Sequence, residues 1–94
     1  MTIHELKCCT ESFLAILQGH KKAEIRKDDR IEGFNVGDVL HLSEWQPEDV
    51  RKANPTAHYT GRECLLSVTH VLRGPAFGVP EYYAMLSFDV LRKY

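Results

Sequence analysis

The stretch Gly19-His20-Lys21-Lys22-Ala23-Glu24-Ile25-Arg26-Lys27-Asp28-Asp29-Arg30 joins two kinds of structure. Glycine at its head stops a helix, because it can take the left-handed conformation that turns the chain sharply. Charged and apolar residues then alternate from Lys22 to Lys27, which is the period of a strand. In that strand Lys22, Glu24 and Arg26 share one face, with Ala23 and Ile25 on the other. The expectation is that the Ala23/Ile25 face packs and the charged face meets a ligand. Eight of the ten residues from Lys21 to Arg30 are charged, five basic and three acidic, so the segment is not a simple polycation. An arginine and a carboxylate two residues apart on a strand face can hold each other, leaving the guanidinium fork to grip a planar or phosphate-bearing partner. The plainer alternative is a solvated face that binds nothing.

Upstream, Thr10 is placed as the N-cap of a helix over Glu11–Gln18, with an acid in the first turn and Gly19 beyond the last. Phe13, Ile16 and Leu17 then form a stripe to bury against a sheet, with Ser12 and Gln18 turned away from it. Lys21 falls at the joint between helix and strand, near the face that displays Glu24 and Arg26. Before the helix, Ile3–Leu6 reads as a first strand, its end carrying Lys7.

Downstream, Ile31–Asp38 is a loop with two glycines from which Phe34 and Val36 plug the core, and Val39–Trp45 is a strand. Residues 46–60 are polar and interrupted by Pro47 and Pro55; they form a long irregular segment offering Arg51, Lys52, His58 and Tyr59 as ligand contacts. Glu63–Arg73 is a strand, Gly74–Pro80 is irregular, and Tyr82–Leu91 is a closing strand. Four or five strands with one early helix predict an α+β domain whose sheet curls toward a small barrel.

A length of 94 residues gives one domain, residues 1–94, with a single core. Apolar residues at 44% and charged residues at 27% are those of a globular chain. The formal net charge of −1 excludes a chain-wide electrostatic grip on nucleic acid, so any such binding rests on a local patch. The longest apolar run, Phe13–Leu17, is far too short to cross a membrane, and the first residues lack the plan of a signal peptide; the expected location is cytoplasmic. Cys8, Cys9 and Cys64 form neither a disulfide framework nor a zinc motif and are expected as free thiols. His4, His20, His41, His58 and His70 show no paired ligand spacing, so no metal or cofactor is expected.

Gly19-x-Lys21-x-x-Glu24-x-Arg26 resembles the Gly-x-Lys-x-x-Glu-x-Arg signature of the activating-signal-cointegrator homology (ASCH) domains, which belong to the PUA-like β-barrels. The flanks agree: His4-Glu5-Leu6-Lys7, Glu24-Ile25-Arg26-Lys27-x-Asp29-Arg30, Phe34-x-Val36-Gly37-Asp38, Glu44-Trp45, Tyr59-Thr60-Gly61-Arg62 and Phe77-Gly78-Val79-Pro80 resemble a short bacterial and phage branch of these proteins. The resemblance implies a cleft beside the barrel lined by Lys21, Glu24 and Arg26, with RNA or a modified nucleoside as ligand. Lys7, Lys27 and Arg30 join them by charge and by nearness in sequence.

Two functions fit. In a binding module, cations contact phosphate, Glu24 orients Arg26, and Tyr59 or Trp45 stacks on a base, unless Trp45 is core. In a hydrolase, either a ribonuclease or an enzyme resembling those that act on acetylated cytidine, Glu24 serves as general base while Lys21 and Arg26 stabilise the developing charge. The resembling amidohydrolases carry a threonine three residues after the lysine; Glu24 stands there in this chain, so the acyl-enzyme route has no hydroxyl nucleophile. A carboxylate beside two cations is expected to be a weak base, and that favours binding. Docking of a phage-derived protein on a host protein is a third possibility.

Overall fold

The structure is a computed structural model, and it describes residues 1–28, 33–46 and 58–93. Its elements in chain order are β1 (Ile3–Cys9), α1 (Thr10–Leu17), β2 (Ala23–Lys27), β3 (Val39–Gln46), β4 (His58–Arg73) and β5 (Tyr83–Lys93). The five strands form one curled sheet in the order β1-β3-β4-β5-β2, a half-barrel with one helix. Strand β1 runs parallel to β3, and every other neighbouring pair is antiparallel. The expected α+β curled sheet is therefore the observed one.

Alternation along the strands decides the inner face. Leu40 and Leu42 of β3, Cys64, Leu66 and Val68 of β4, and Ala84, Leu86 and Phe88 of β5 point inward and are buried. The helix lies over this face, packing on β1, β3 and β5 and burying Phe13 and Ile16. Complete burial of such side chains stabilises the fold by roughly 1.5–3 kcal/mol each. Phe34 enters from the β2–β3 connection and packs against the buried ring of His4, the two rings tilted by 45° with their centroids 4.5 Å apart. His4 Nε2 in turn lies 2.9 Å from Asp38 Oδ2, and Asp38 also accepts the backbone N–H groups of Thr2 and Asn35. This pins the start of β1 to the start of β3.

Several local expectations change. Cys9, not Thr10, holds the N-cap position, and Thr10 is already helical. Strand β1 continues through Cys9, and β4 begins at His58, so Tyr59 and Thr60 belong to a strand and not to an irregular segment. Val36 is exposed and leaves the core to Phe34. The faces of β2 are reversed: Glu24 and Arg26 are turned inward and partly buried, while Ile25 is 54% exposed. Alternation of charged with small apolar residues fixes the period but not the side, and the charged side can turn inward here because its groups satisfy one another.

Candidate functional site

The end of α1 sets the site. Gly19, at φ +77°, donates its N–H to the Ile16 carbonyl at 3.1 Å, while the N–H groups of His20 and Lys21 both reach the Ala15 carbonyl at 2.9 and 3.0 Å. This double closure is a Schellman cap, which satisfies the last helical carbonyls and fixes the direction in which the chain leaves. It delivers Lys21 back over the helix, where Nζ donates to Ser12 Oγ at 3.0 Å and to Glu24 Oε1 at 3.2 Å. Ser12, expected to face away, is half-buried and serves as this anchor.

On β2 the other carboxylate oxygen of Glu24 accepts Arg26 Nε at 2.6 Å, and Arg26 Nη2 donates to the Lys7 carbonyl at 2.9 Å. The chain of contacts thus runs from helix to lysine, to acid, to guanidinium, to the backbone of β1. Strands β1 and β2 are the two edges of the sheet, so Arg26 reaches across the open seam of the half-barrel. The buried Cys8 thiol lies beside these charges; burial first, and the Glu24 carboxylate second, push its pKa up to about 12.

A cleft of about 560 Å³ opens at the seam, lined among the described residues by Glu5, Leu6, Lys7, Arg26, Ser43 and Tyr59. Lys21 is not part of it but borders a separate hollow of about 210 Å³ with Gly19, Lys22 and Asp89. The three signature side chains therefore meet one another, yet only Arg26 opens on the larger cleft, and Glu24, with 11% of its side chain exposed, stands behind as support. Lys7 Nζ lies 4.3 Å from the centre of the Trp45 ring, a cation–π contact that occupies Trp45. Tyr59, opposite Trp45 in the β3–β4 register, is 62% exposed and lines the cleft. Lys27 is exposed and falls on the face opposite Arg26 by strand alternation. Arg30, Arg51 and Lys52 lie outside the described residues.

The sequence reading missed a second ion pair. Between the register pairs Ser43↔Glu63 and Trp45↔Tyr59, β3 has Glu44 alone while β4 has Thr60, Gly61 and Arg62. The surplus makes a bulge, and Gly61 at φ +93° permits it. Both flanking side chains then close on Glu44: Arg62 donates through Nε at 2.7 Å and Nη2 at 2.6 Å, and the Thr60 hydroxyl donates as well. Glu44 is fully buried. The Arg62 hydrogen bonds outweigh burial and, with Thr60, hold its carboxyl below the usual range. A signal was present, since Glu44 continues the inward phase of Leu40 and Leu42, and an acid in that phase demands a partner. Nearby, His41 lies between Glu5 and Glu63, with Nδ1 and Nε2 at 2.6 and 2.9 Å from their carboxylates. Among the described residues no group of histidine, cysteine, aspartate or glutamate side chains could hold a metal ion.

Fold and site together define a small α+β domain with a curled sheet whose open seam is bridged by a carboxylate-held arginine. The chain belongs to the family described as a domain of unknown function, DUF3850, whose model matches residues 3–88. It is also similar to an uncharacterized 12.9 kDa protein of Escherichia phage P2, with 46% identity over 43 residues. That match covers 46% of this chain and 38% of the phage protein, so the chain spans well under half of the relative's length. No helix among the described residues is long and apolar enough to cross a membrane.

Proposed function

We propose that this domain is a binding module for RNA or a modified nucleoside, related to the ASCH and PUA-like domains that its Lys21/Glu24/Arg26 signature resembles. The observation that carries the reading is the posture of Arg26. Its Nε is committed to Glu24 and one edge of Nη2 to the Lys7 carbonyl, so the guanidinium is oriented in advance beside a 560 Å³ cleft. A preoriented fork loses little freedom when it takes up a phosphate or a base edge. Tyr59 supplies an exposed aromatic face in the same cleft, and base–aromatic stacking is worth roughly 1–3 kcal/mol. Lys7 adds a cation at the rim.

Hydrolysis with Glu24 as general base has less support, because both carboxylate oxygens accept hydrogen bonds from cations and the residue does not border the cleft. The test is titration of single-stranded RNA and of nucleosides at 50 and 200 mM salt. If the two cations that line the cleft, Lys7 and Arg26, meet phosphates, a slope of about −1.4 costs roughly sevenfold in affinity over that range, whereas a nucleoside shows almost no slope. Wild-type affinity in Arg26→Ala with an unchanged melting curve overturns the proposal. Capture of a protein partner that survives nuclease treatment would replace it with host-protein docking.

A further inference from the structure

Ser43 is the low point of the outer face. In the register it lies between Lys7 of β1 and Glu63 of β4, and its neighbours along β3 on that face are His41 and Trp45. A small hydroxyl among long side chains leaves a depression, and the cleft of about 560 Å³ opens over it, bordered by Glu5, Lys7, Arg26 and Tyr59. The volume is that of a small-ligand site, roughly 300–1,000 Å³.

The cleft is not uniformly basic. Glu5 sits opposite His41 in the β1–β3 register, and its Oε2 lies 2.6 Å from His41 Nδ1, while His41 Nε2 lies 2.9 Å from Glu63 Oε1. The imidazole thus braces Glu5 and is itself braced by Glu63. One lone pair of Glu5 is spent on this contact; a carboxylate has about four, and 70% of the side chain is exposed at the wall of the cleft. A bare phosphate gains from Lys7 and Arg26 but is repelled by Glu5. The combination suits a ligand that is anionic at one end and offers N–H groups at the other, with a flat ring between them for Tyr59.

Resting on the binding function proposed above, we infer that the cleft selects guanine: its ligand is a 5′-phosphorylated guanosine unit, with phosphate on Arg26 and Lys7, the base on Tyr59 and the Watson–Crick edge on Glu5. Of the four RNA bases guanine alone carries two adjacent donors on that edge, N1–H and the 2-amino group, and a carboxylate pairs best with two parallel N–H groups. Cytosine and adenine set a ring-nitrogen acceptor beside their amino group, which meets the second carboxylate oxygen lone pair to lone pair. Uracil offers a single N–H between two carbonyls, the poorest match. A base inside a duplex has this edge occupied, so the unit is an unpaired residue of RNA or the free nucleotide.

The experiment titrates the wild-type chain and Glu5→Gln calorimetrically with the 5′-monophosphates of guanosine, inosine, adenosine, cytidine and uridine. It adds 5′-phosphorylated RNA tetranucleotides that are all uridine or carry one guanosine. The quantity read is the ratio of guanosine to uridine affinity, because removing a negative charge beside Lys7 and Arg26 strengthens every phosphate alike. In wild type the ratio is expected to be roughly tenfold or more, the scale of one bidentate contact to a base. Inosine monophosphate, which lacks the 2-amino group, is expected to lose most of that advantage. In Glu5→Gln the ratio falls to about threefold, the scale of the one neutral hydrogen bond that the amide carbonyl still accepts. Tighter binding of the guanosine-bearing tetranucleotide than of the guanosine nucleotide identifies RNA as the source, and equal or weaker binding identifies the free nucleotide. Equal affinity for the guanosine and uridine monophosphates, or a ratio that Glu5→Gln leaves unchanged, overturns the inference while leaving the binding function standing. Absence of binding by every nucleotide and oligonucleotide overturns both.

Discussion

Arg26 Nη2 and the backbone carbonyl of Lys7 are hydrogen-bonded at 2.9 Å across 19 residues of sequence, and the two strands they join are opposite edges of one sheet. A sheet edge presents backbone groups that invite pairing with another chain, and closure of a barrel removes that liability. Here one edge reaches the other through a side chain instead. The seam is consequently both bridged and open, and the residue that bridges it also faces the cleft.

Arg26→Lys separates these two roles. The lysine keeps the charge but loses the planar fork that addresses Glu24, the Lys7 carbonyl and a ligand together. RNA affinity is expected to fall at least tenfold, while the melting temperature moves by only a few degrees because the lost contacts are partly exposed. Fluorescence anisotropy and circular dichroism measure the two quantities. Unchanged affinity in a folded Arg26→Lys protein refutes the assignment.

Within the signature, the order of effects is expected to be Arg26→Ala, then Glu24→Gln, then Lys21→Ala. Glu24 acts by positioning Arg26, so its amide variant weakens binding about tenfold, a loss comparable to one charge-assisted hydrogen bond. Lys21 borders a different hollow and touches the cleft only through Glu24, so its loss costs about threefold at most on the scale of a partly exposed ion pair. Calorimetry on the three variants gives the order. Lys21→Ala weaker than Arg26→Ala would show that the helix-side hollow is the binding site.

How far the chain could be read in advance follows from what each residue type reports. Phe13 and Ile16 at helical spacing, and Leu40 with Leu42 at strand spacing, name their buried faces because apolar groups have one favourable place to go. Gly19 named the helix end, and the cap geometry bears it out. The face of β2 was misread because Glu24 and Arg26 are polar only until they find each other, and periodicity carries no information about partners distant in sequence, such as Lys7. The Glu44–Arg62 pair escaped for the same reason: a bulge changes register, so Thr60, Gly61 and Arg62 gather opposite one residue in a way regular spacing does not encode. Tyr59 was selected as an aromatic in a polar segment, and β4 extends further than strand propensity suggested because that bulge keeps it paired.

The three thiols are expected to divide by environment. Burial pushes Cys8 to about 12 and Cys64 to about 11, and both are enclosed, whereas exposed Cys9 is held below its ordinary value of 9 chiefly by the backbone N–H of Ser12. Since the thiolate is the reactive form, a maleimide at pH 7.5 should label Cys9 quickly and the other two only on unfolding. Peptide mass spectrometry after a brief pulse reads the outcome. Fast labelling of Cys8 in the native state would contradict the packing of α1 over β1.

Glu44 should govern part of the acid sensitivity of the fold. In the unfolded chain its carboxyl titrates near the ordinary 4.5, and in the folded protein it titrates lower, because the Arg62 hydrogen bonds outweigh the opposing effect of burial. As pH falls, the unfolded state therefore takes up this proton first. The stabilisation is present in full above about 4.5 and is lost as pH drops from there through the folded-state value. At pH 7 Glu44→Gln, which keeps the shape but weakens the charge-assisted bonds, is expected to cost about 1–2 kcal/mol. Arg62→Ala should cost more, since it strands the ionised Glu44 in a fully buried position, whereas loss of the acid leaves a half-exposed arginine that water can reach. Asp38, whose carboxyl is opposed by burial but lowered on balance by His4, Thr2 and Asn35, titrates alike in wild type and Glu44→Gln and cancels from their difference. Urea midpoints at pH 7, 5, 4 and 3 should thus show the gap between wild type and Glu44→Gln narrowing only below the ordinary carboxylate value. A gap that stays constant to pH 3 would mean that folding does not lower the Glu44 carboxyl, and the clasp formed by Thr60 and Arg62 would then need another explanation.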